Sequence, residues 1–506
     1  MIKSVVSEDC IIFFWEKTCA GKACFNTYLN NRPYRKAYST HAEFKNLAAD
    51  TEYRIKIEDV TDGKSSVLFD GVISTAKAKT RLDVTKPPYN AVPDGKTFAT
   101  DAIQKAINDC SANDYVYFPD GEYLTGALDL KSNVEIRLSD NAKIQGSEKV
   151  SDYLPKIKSR FEGFERECYR SLFNLGQADH TAGYVYENVI IRGGTIFGGG
   201  EKLMQDTFDT ERERVAELKK QNEEKGVTYE SPDSLAGKAR GRLINIYNTQ
   251  NVLIADCKLG YAASWNVHLV YSKDVVIYGC ELYSEGVING DGIDPDSSEN
   301  CYIFDCRFEM GDDSVAVKSG KNLEGYKIGI PCHNVRIFDC SGRKGIALGS
   351  EMSAGVYDVK IWDCYFVNSR GGLRLRATQK RGGYIKDVCV YDSAFTDFHI
   401  FTAFGIEDEG ESAPKLTEID NIYLENMYFS GRSRKSSDTD FAPIEPIRVR
   451  GFEGKDNYIK NVTLKNVTVP KAMKNIHAFE FENVINLTIQ NLQFTENEED
   501  CFKWKR

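Results

Sequence analysis

The sequence predicts an all-β chain: a right-handed single-stranded parallel β-helix of about ten coils, preceded by a small β-sandwich domain. Segments of the form Asn/Asp-apolar-any-apolar recur through most of the chain, and the closest copies are 23 to 26 residues apart. A period in the twenties in β-branched, alternating segments is typical of a parallel solenoid, in which each coil buries its apolar face on the next. The first 80 residues carry short alternating runs without this period.

Size and composition narrow the choice of partners. A chain of 506 residues is too long for one ordinary globular core, but stacked repeats escape that limit. Hydrophobic residues make up 41% and charged residues 28%, as in a soluble globular protein, and the net charge is −10. We therefore expect no nucleic-acid and no membrane partner, and an acidic polymer would need a local basic patch. The oligomeric state stays open.

The N-terminus and the cysteines bear on the compartment. Residues 1–10 contain no long apolar run before a small-residue cleavage site, and the short run Ile11–Trp15 is followed by charge. We expect neither a signal peptide nor a transmembrane span. Most of the 14 cysteines stand in apolar strand contexts, not at disulfide-framework or CxxC spacing. The sequence thus predicts a cytoplasmic protein.

The first predicted domain, residues 1–80, is a small β-sandwich. Its alternating runs are Ile11–Trp15, Phe25–Leu29, Tyr53–Ile57 and Val67–Ser74. Leu47 and Tyr53 bracket a turn-prone stretch just before a strand. The domain therefore resembles the fibronectin type III module, which has its tyrosine corner at that position. Residues 76–81 are the predicted linker to the second domain, residues 83–506.

A short amphipathic helix opens the second domain. In the stretch 100–108, Ile103, Ala106 and Ile107 share one face, and Thr100 is the expected N-cap. A helix before a repeat array is a natural cap, because a terminal repeat needs a different outer face.

The repeat itself is marked by an Asn or Asp anchor. The anchors are Asn133, Asn188, Asn251, Asp274, Asn300, Asn334, Asp358, Asp387, Asn421, Asn461 and Asn486. Six residues after the anchor, five consecutive copies carry Cys257, Cys280, Cys306, Cys340 and Cys364. Residues recurring in one phase fit an interior stack, so we predict buried packing for these thiols and no metal site. Longer spacings indicate insertions; one, at about 201–240, is charged, partly helical and expected to overhang one face.

Four successive coils share a segment from which a register can be read. The segments are Gly292–Asp296, Ser314–Lys318, Gly345–Gly349 and Gly372–Arg376. The inward residues are then Ile293, Val315, Ile346 and Leu373. Because side chains alternate along a strand, this register stacks Asp291 and Asp313 on neighbouring coils, ~4.8 Å apart at the backbone, with Asp312 beside them.

The same register places Asp294 and a group of cations on the outer side of these coils. The cations on that side are Lys318, Lys344, Arg374 and Arg376; together with Arg343, which takes the flanking position of Asp312, they are expected to form a basic surface. Like charges stacked in a ladder are destabilising unless they are used, so a functional carboxylate cluster is favoured over a chance solvated one. Hydrolysis of a sugar acetal needs one acid and one base, and adjacent carboxylates push their pKa values apart.

These motifs occur in the order that one enzyme family shows. They are Tyr89–Thr97, Tyr117–Gly126, Ser264–His268, Asn289–Asp296, Gly311–Gly320, Gly345–Glu351 and Arg374–Arg376. Over about residues 83–490 the chain resembles the polygalacturonases, glycoside hydrolase family 28. The resemblance implies inverting, single-displacement hydrolysis of an α-linked galacturonide without a cofactor or a metal.

The resemblance also implies roles for single residues. Asp312 would be the general acid, and Asp291 with Asp313 would orient and deprotonate the water. Arg374 and Arg376 match the family's Arg-x-Lys pair and would hold a substrate carboxylate.

Two departures from the family pattern bear on the substrate. Arg343 stands where the family has a histidine, and Arg376 replaces its lysine. They favour an altered acidic oligosaccharide, such as a rhamnogalacturonan fragment or an exo-released terminal galacturonate. His268 borders the site under one interpretation and is a satisfied structural residue under the other.

The leading hypothesis is a cytoplasmic, exo-acting α-galacturonidase that trims imported pectic oligosaccharides, with the insertion at 201–240 blocking one end of the cleft. The alternatives are a hydrolase specific for rhamnogalacturonan or another modified pectin, and a β-helix polysaccharide lyase, which would need a Lys or Arg base and usually Ca²⁺. A further alternative is a non-catalytic carbohydrate-binding solenoid.

Overall fold

The computed structural model describes residues 2–61, 63–223, 236–403, 409–435, 440–454, 457–471 and 479–495. The chain divides into two compact units. One consists of residues 1–81 with 113–115, and the other of residues 82–112 with 116–506. The short strand Thr80–Asp83 spans the boundary between them in sequence.

The first unit is a small β domain with two antiparallel sheets. The three-stranded sheet contains Ile2–Val6, Cys10–Trp15 and His41–Lys45; the four-stranded sheet contains Arg32–Ala37, Phe25–Leu29, Glu52–Asp59 and Ser66–Ser74. Alternate residues such as Ile11, Phe13 and Phe44 form its core. The Tyr53 hydroxyl accepts a hydrogen bond from the Ala48 backbone N–H at 2.8 Å, a contact of the tyrosine-corner kind. The likeness to fibronectin type III stays a prediction.

The second unit confirms the predicted parallel β-helix. One face is a parallel sheet, eleven-stranded within the described residues, which we call the site sheet; it contains Leu128–Asp129, Phe173–Leu175, Ile244–Tyr247, Val267–Val270, Ile293–Asp296, Val315–Val317, Ile346–Leu348, Leu373–Arg376, Phe398–Phe401, Ile447–Arg450 and Phe479–Glu482. Each strand pairs with the strand one coil away, so sequence neighbours in the repeat become spatial neighbours.

The other faces of the coils join in one large sheet. Its strands are Thr80–Asp83, Asp94–Phe98, Asp114–Phe118, Gly121–Thr125, Val134–Leu138, Ala142–Gly146, Tyr186–Arg192, Thr195–Phe197, Thr249–Ala255, Lys258–Gly260, Lys273–Tyr278, Glu281–Tyr283, Glu299–Phe304, Arg307–Glu309, Cys332–Phe338, Ser341–Gly342, Val356–Trp362, Tyr365–Phe366, Tyr384–Phe395, Glu418–Phe429, Ile459–Pro470 and Val484–Thr495. Two antiparallel hairpins lie outside the coils: Ile157–Phe161 with Phe164–Cys168, and Arg432–Arg434 with Phe441–Pro443. The helices with both ends among the described residues include Thr100–Asp109, Val150–Tyr153 (a 3₁₀ turn), Gly200–Glu223 and Asn322–Ile328.

The Asn/Asp anchors of the repeat are a requirement of the turn between coils. All eleven have a positive φ, between 52° and 60°. Asn and Asp tolerate this left-handed conformation better than other residues with a side chain. The side chains also bond along the stack: Asn334 Nδ2 donates to Asn300 Oδ1 at 2.5 Å, and Asn300 Nδ2 donates to Asp274 Oδ1 at 2.8 Å.

The cysteine ladder lies in the interior, as predicted. Cys257, Cys280, Cys306, Cys340 and Cys364 are all buried in the coil core. Their thiols lie near backbone carbonyls; Cys306 Sγ, for example, is 3.2 Å from the Phe304 carbonyl oxygen. None of the cysteines in the described ranges forms a disulfide.

The capping helix is confirmed, but its predicted N-cap is wrong. Ile103, Ala106 and Ile107 are buried, and the helix begins at Thr100 itself, after Ala99. The Thr100 hydroxyl oxygen instead accepts a hydrogen bond from the Gly126 backbone N–H at 2.9 Å.

The insertion at 201–240 is helical over Gly200–Glu223, and residues 224–235 of that insertion lie outside the described residues. Its helix packs on neighbouring loops: Asp206 accepts from the Val150 N–H at 2.7 Å, and Glu211 pairs with Lys156 at 2.6 Å. No helix in the described part of the chain is both long and apolar enough to cross a membrane.

The stacked anchors predict that two substitutions at Asn300 destabilise the fold to different extents. Asn300→Val removes two hydrogen bonds and forces a β-branched residue into the left-handed region, so it should destabilise the fold by about 3 kcal/mol. Asn300→Gly keeps the backbone conformation and should cost about 1 kcal/mol. Urea denaturation followed by circular dichroism measures both; equal losses would contradict a conformational role for the anchors.

Candidate active site

The site sheet pairs in the predicted register. Ile293 lies opposite Val315, Val315 opposite Ile346, and Ile346 opposite Leu373. All four are buried in the coil interior. The Gly292 N–H donates to the Asp313 carbonyl at 2.9 Å, so Asp291 and Asp313 stand on neighbouring coils. The predicted stack of the two carboxylate-bearing residues is thus confirmed.

Glycines allow the aspartate-bearing turns to approach each other. A Cβ on Gly311, next to Asp312, would lie 2.6 Å from the Ser284 carbonyl oxygen, and one on Gly292 would lie 2.9 Å from the Phe308 ring. Any larger residue at either position would push the adjacent aspartate out of register. This is a physical reason for the glycines beside Asp291 and Asp312.

Asp313 is held by a bidentate ion pair. Arg376 Nη1 and Nη2 donate to its two carboxylate oxygens, both at 2.7 Å. Burial favours the protonated acid, but the Arg376 guanidinium outweighs it and, with Lys344 and Lys318, holds the pKa of Asp313 below its usual value. Asp313 is therefore the carboxylate that stays ionised.

Asp312 has the opposite character. It is partly exposed, and its side chain makes no hydrogen bond to any described residue. Burial of its carboxyl and the charge of Asp313 raise the pKa of Asp312, while Lys344 and Arg376 oppose the rise. Two adjacent carboxyl groups with pKa values displaced in opposite directions are suited to act as a proton donor and a proton acceptor.

Lys318 organises the third part of the cluster. Its ammonium donates to Asp291 Oδ2 at 3.1 Å and lies 3.1 Å from Asp294 Oδ2 and 3.9 Å from Glu351 Oε2. It also lies 3.8 Å from the centroid of the Trp265 ring. This cation compensates a buried ring of three carboxylates.

The pKa values of Asp291 and Asp294 are both raised, although the Lys318 ammonium lies next to both carboxyl groups. Burial raises the pKa of Asp291 well above its usual value, and neighbouring carboxylates add to the rise. Burial likewise raises the pKa of Asp294 to about 7, although the Lys318 ammonium, 3.1 Å from its Oδ2, opposes the rise. The sequence placed Asp294 on the outer side of its strand; the structure puts it there but fully buried.

The hairpin Ile157–Cys168 covers this part of the site sheet. Phe161 stacks on Trp265 with ring centroids 4.8 Å apart, and the Arg242 guanidinium lies 4.7 Å from the Phe161 ring. Buried Arg160 reaches Asp296 Oδ1 at 3.3 Å. Outer-face residues of the coils before Asp313 are therefore shielded from water.

His268 lies under this cover with no exposed surface. Its Nε2 lies 3.3 Å from Asp296 Oδ2, and its Nδ1 lies 3.3 Å from Asn245 Nδ2. Burial lowers the pKa of His268 to about 3, so the ring is neutral. Of the two interpretations that the sequence allowed for His268, these contacts fit the structural one, in which both ring nitrogens have partners. A contact between His268 and the substrate stays a prediction.

Four of the five cations predicted to form a basic surface are paired with carboxylates. Lys318 and Arg376 are committed to carboxylates of the cluster, as described above. Arg374 lies 3.4 Å from Asp397, and Arg343 Nε lies 2.5 Å from Glu309 Oε2. Half-buried Lys344 alone of the five has no ion pair within the described residues. Carboxylates contributed by other coils pair with these four cations, and motifs read within a single coil do not reveal such contacts.

The sequence pattern did not predict three of the residues around the site. Glu351 was seen only as the end of a motif, although it completes the ring around Lys318. Arg160 and Phe161 belong to a hairpin outside the coil repeat, so the periodicity carries no signal for them. Within the described residues, no group of three or more His, Cys, Asp or Glu side chains is arranged to hold a metal ion.

The opposite pKa displacements predict opposite stability effects. The pKa of Asp294 is about 4 in the unfolded chain and about 7 in the folded protein. Ionisation of Asp294 therefore lowers the free energy of unfolding as the pH rises between these two values. Asp294→Asn should therefore stabilise the protein by about 1–2 kcal/mol above pH 7, with the gain vanishing near pH 4.

Asp313→Asn is the matched control. The lowered pKa of Asp313 contributes stability at neutral pH that is lost as pH falls through it, so this variant should be destabilised by about 3 kcal/mol at pH 7 and less in acid. Urea denaturation across pH measures both, and the same sign for the two variants would contradict the assignment.

Known proteins resemble this chain in sequence and in fold. The family model "Glycosyl hydrolases family 28" matches residues 185–407, and "Rhamnogalacturonase A/epimerase, pectate lyase-like" matches residues 87–154. The family 28 exopolygalacturonase of Yersinia enterocolitica superposes with a TM-score of 0.74 at 18% identity, covering 98% of this chain and 97% of that chain. That likeness supports the β-helix fold.

Two curated relatives extend the match in sequence. A probable polygalacturonase of Vitis vinifera is 33% identical over 320 residues, which is 60% of this chain and 58% of the relative. An exo-poly-α-D-galacturonosidase of Dickeya chrysanthemi is 28% identical over 375 residues, 70% of this chain and 62% of the relative. The chain thus spans about three fifths of the length of these relatives. The chain is thus similar to glycoside hydrolase family 28 over residues 185–407.

Proposed function

We propose that this chain is an inverting hydrolase of α-galacturonosyl linkages in pectic oligosaccharides, acting from one chain end. The observation that carries the proposal is the pair Asp312 and Asp313, adjacent carboxyl groups of which one is ionised by Arg376 and the other has a raised pKa. The names of the Vitis and Dickeya relatives support galacturonan as the substrate class.

The proposed reaction is a single displacement. Asp312 donates its proton to the glycosidic oxygen as the bond from that oxygen to the anomeric carbon breaks. A water attacks the anomeric carbon from the opposite face, and Asp313 takes the water proton. Asp291, fixed by Lys318, orients the water. The products are a sugar of inverted anomeric configuration and a free hydroxyl on the leaving group.

Lys344 is the cation best suited to meet the substrate carboxylate at the cleaved bond. It has no ion pair among the described residues, and it acts electrostatically on both Asp312 and Asp313. Arg376 then serves a different role from the predicted one, because its bidentate pair with Asp313 fixes the base. The Arg374 guanidinium makes two long contacts with the Asp397 carboxylate, both at 3.4 Å. Because these contacts are weak, the side chain can turn toward a ligand.

Action from one chain end is supported by unequal access to the site sheet. On the coils before Asp313, Asn245, His268 and Asp296 are at most 2% exposed beneath the hairpin Ile157–Cys168. On later coils, the Arg374 and Arg450 side chains are 20% and 44% exposed. A closed side and an open side fit a site that admits one end of an oligosaccharide.

A cytoplasmic location, argued from the sequence, remains part of the proposal and is testable by fractionation.

The first test is a panel of α-1,4-galacturonide and rhamnogalacturonan oligosaccharides with products identified by mass. We expect release of galacturonate from the galacturonides, and loss of at least 10³-fold in kcat for Asp312→Asn with an unchanged circular dichroism spectrum. Cleavage of rhamnogalacturonan alone would favour the alternative suggested by the match over residues 87–154. An unsaturated product absorbing in the near ultraviolet would refute hydrolysis, and full activity of Asp312→Asn would remove Asp312 as the general acid.

The second test is the pH dependence of kcat/KM. Activity needs Asp313 ionised and Asp312 protonated, so it should fall in acid below the usual aspartate range and in base above that range. Arg376→Gln removes the charge that keeps the pKa of Asp313 low, so the acidic limb should move to higher pH. Arg450→Gln, a control on the same sheet, should leave both limbs in place; an unmoved acidic limb in Arg376→Gln would remove Asp313 as the base.

A further inference from the structure

A second ladder begins at the proposed acid. Asp312, Arg343 and Arg370 each stand three residues before the paired strand residues Val315, Ile346 and Leu373. They therefore occupy equivalent positions on three successive coils. The Arg370 N–H donates to the Arg343 carbonyl at 3.1 Å, which fixes the two arginines on adjacent coils.

From this ladder we infer a binding track for the leaving-group side of an acidic oligosaccharide, with Arg343 facing the first sugar beyond the cleaved bond and Arg370 facing the second. The inference rests on the proposed function and deepens it: the ligand class is a uronate chain of at least three sugars. The acid protonates the leaving oxygen, so the leaving chain starts beside Asp312, and coils spaced ~4.8 Å apart are about one sugar unit apart.

The charges on the track suit such a ligand. Arg370 is exposed, uses Nε to donate to the Lys435 carbonyl at 2.9 Å, and pairs with no carboxylate in the described part of the chain. Arg343 pairs with Glu309, but both side chains are partly exposed, at 40% and 29%, and an exposed pair of this kind is readily exchanged for a ligand carboxylate. Arginine is well suited to grip a carboxylate with two parallel N–H donors.

A third arginine, Arg434, lies close to Arg343 and Arg370. The Arg434 N–H donates to the Ser369 carbonyl at 3.2 Å, so its segment lies against Arg370. Burial, and then the charges of Arg343 and Arg370, lower the pKa of Arg434 against the opposing pull of Glu285 and Glu309. Cations that depress one another's protonation are stabilised when an anion binds between them.

The other route away from Asp313, along the site sheet itself, is less suited to a polyanion. Its later cations are already neutralised: Arg448 pairs with Glu445 at 2.9 Å and with Glu480 at 2.7 Å. The paired strand then presents Glu480 and Glu482, which would repel uronate carboxylates.

The test compares kcat/KM on digalacturonate and trigalacturonate for the wild type, Arg370→Gln and Arg450→Gln. Arg370 is placed at the second leaving-side sugar, which the dimer lacks. We expect Arg370→Gln to lose about tenfold on the trimer and distinctly less on the dimer, whereas Arg450→Gln changes the two substrates alike. Raising the ionic strength should narrow the wild-type preference for the trimer.

The outcomes separate this inference from the proposed function. Hydrolysis of both oligomers with equal losses in Arg370→Gln, or with no loss, would overturn the track alone. A chain-length-dependent loss in Arg450→Gln instead would move the leaving chain to the site sheet and also overturn it. Failure of the wild type to cleave either oligomer would overturn the proposed function. Thermal unfolding of each variant verifies that it is folded.

Discussion

The parallel register of the site sheet is the constraint on which the rest of this molecule depends. Pairing Ile293 with Val315 and Val315 with Ile346 buries one apolar residue per coil and fixes every neighbour by alternation. A slip of one residue would send these apolar side chains outward and separate Asp291 from Asp313. The relative position of Asp291 and Asp313 is therefore held by the same interactions that stack the coils.

Within that frame, charge compensation decides how each acidic group behaves. Buried carboxylates are costly unless paired, and here the compensation is unequal. Arg376 is bidentate on Asp313, Lys318 is shared among three carboxylates, and Asp312 has no direct partner among the described residues. Unequal compensation raises the pKa of Asp312 and lowers that of Asp313, and such a difference between neighbouring acids suits acid–base hydrolysis.

The sequence predicted the parts that the repeat encodes. The anchors, the buried cysteines, the inward residues and the Asp291–Asp313 stack follow from periodicity, because each coil repeats the same environment. It failed where contacts join segments that the period does not relate. The cover of Phe161 on Trp265 comes from a hairpin outside the coils, and the pairing of Arg374 with Asp397 joins different coils through side-chain reach. Those contacts turned an expected basic surface into a set of ion pairs.

The most direct test of the three-aspartate account is the anomeric configuration of the first product. Proton NMR during hydrolysis of an α-galacturonide, recorded before mutarotation equilibrates the sugar, reports which anomer is released. A direct attack of water activated by Asp313, opposite the leaving group protonated by Asp312, predicts the β-anomer first. Initial release of the α-anomer would require a covalent intermediate and would contradict these roles.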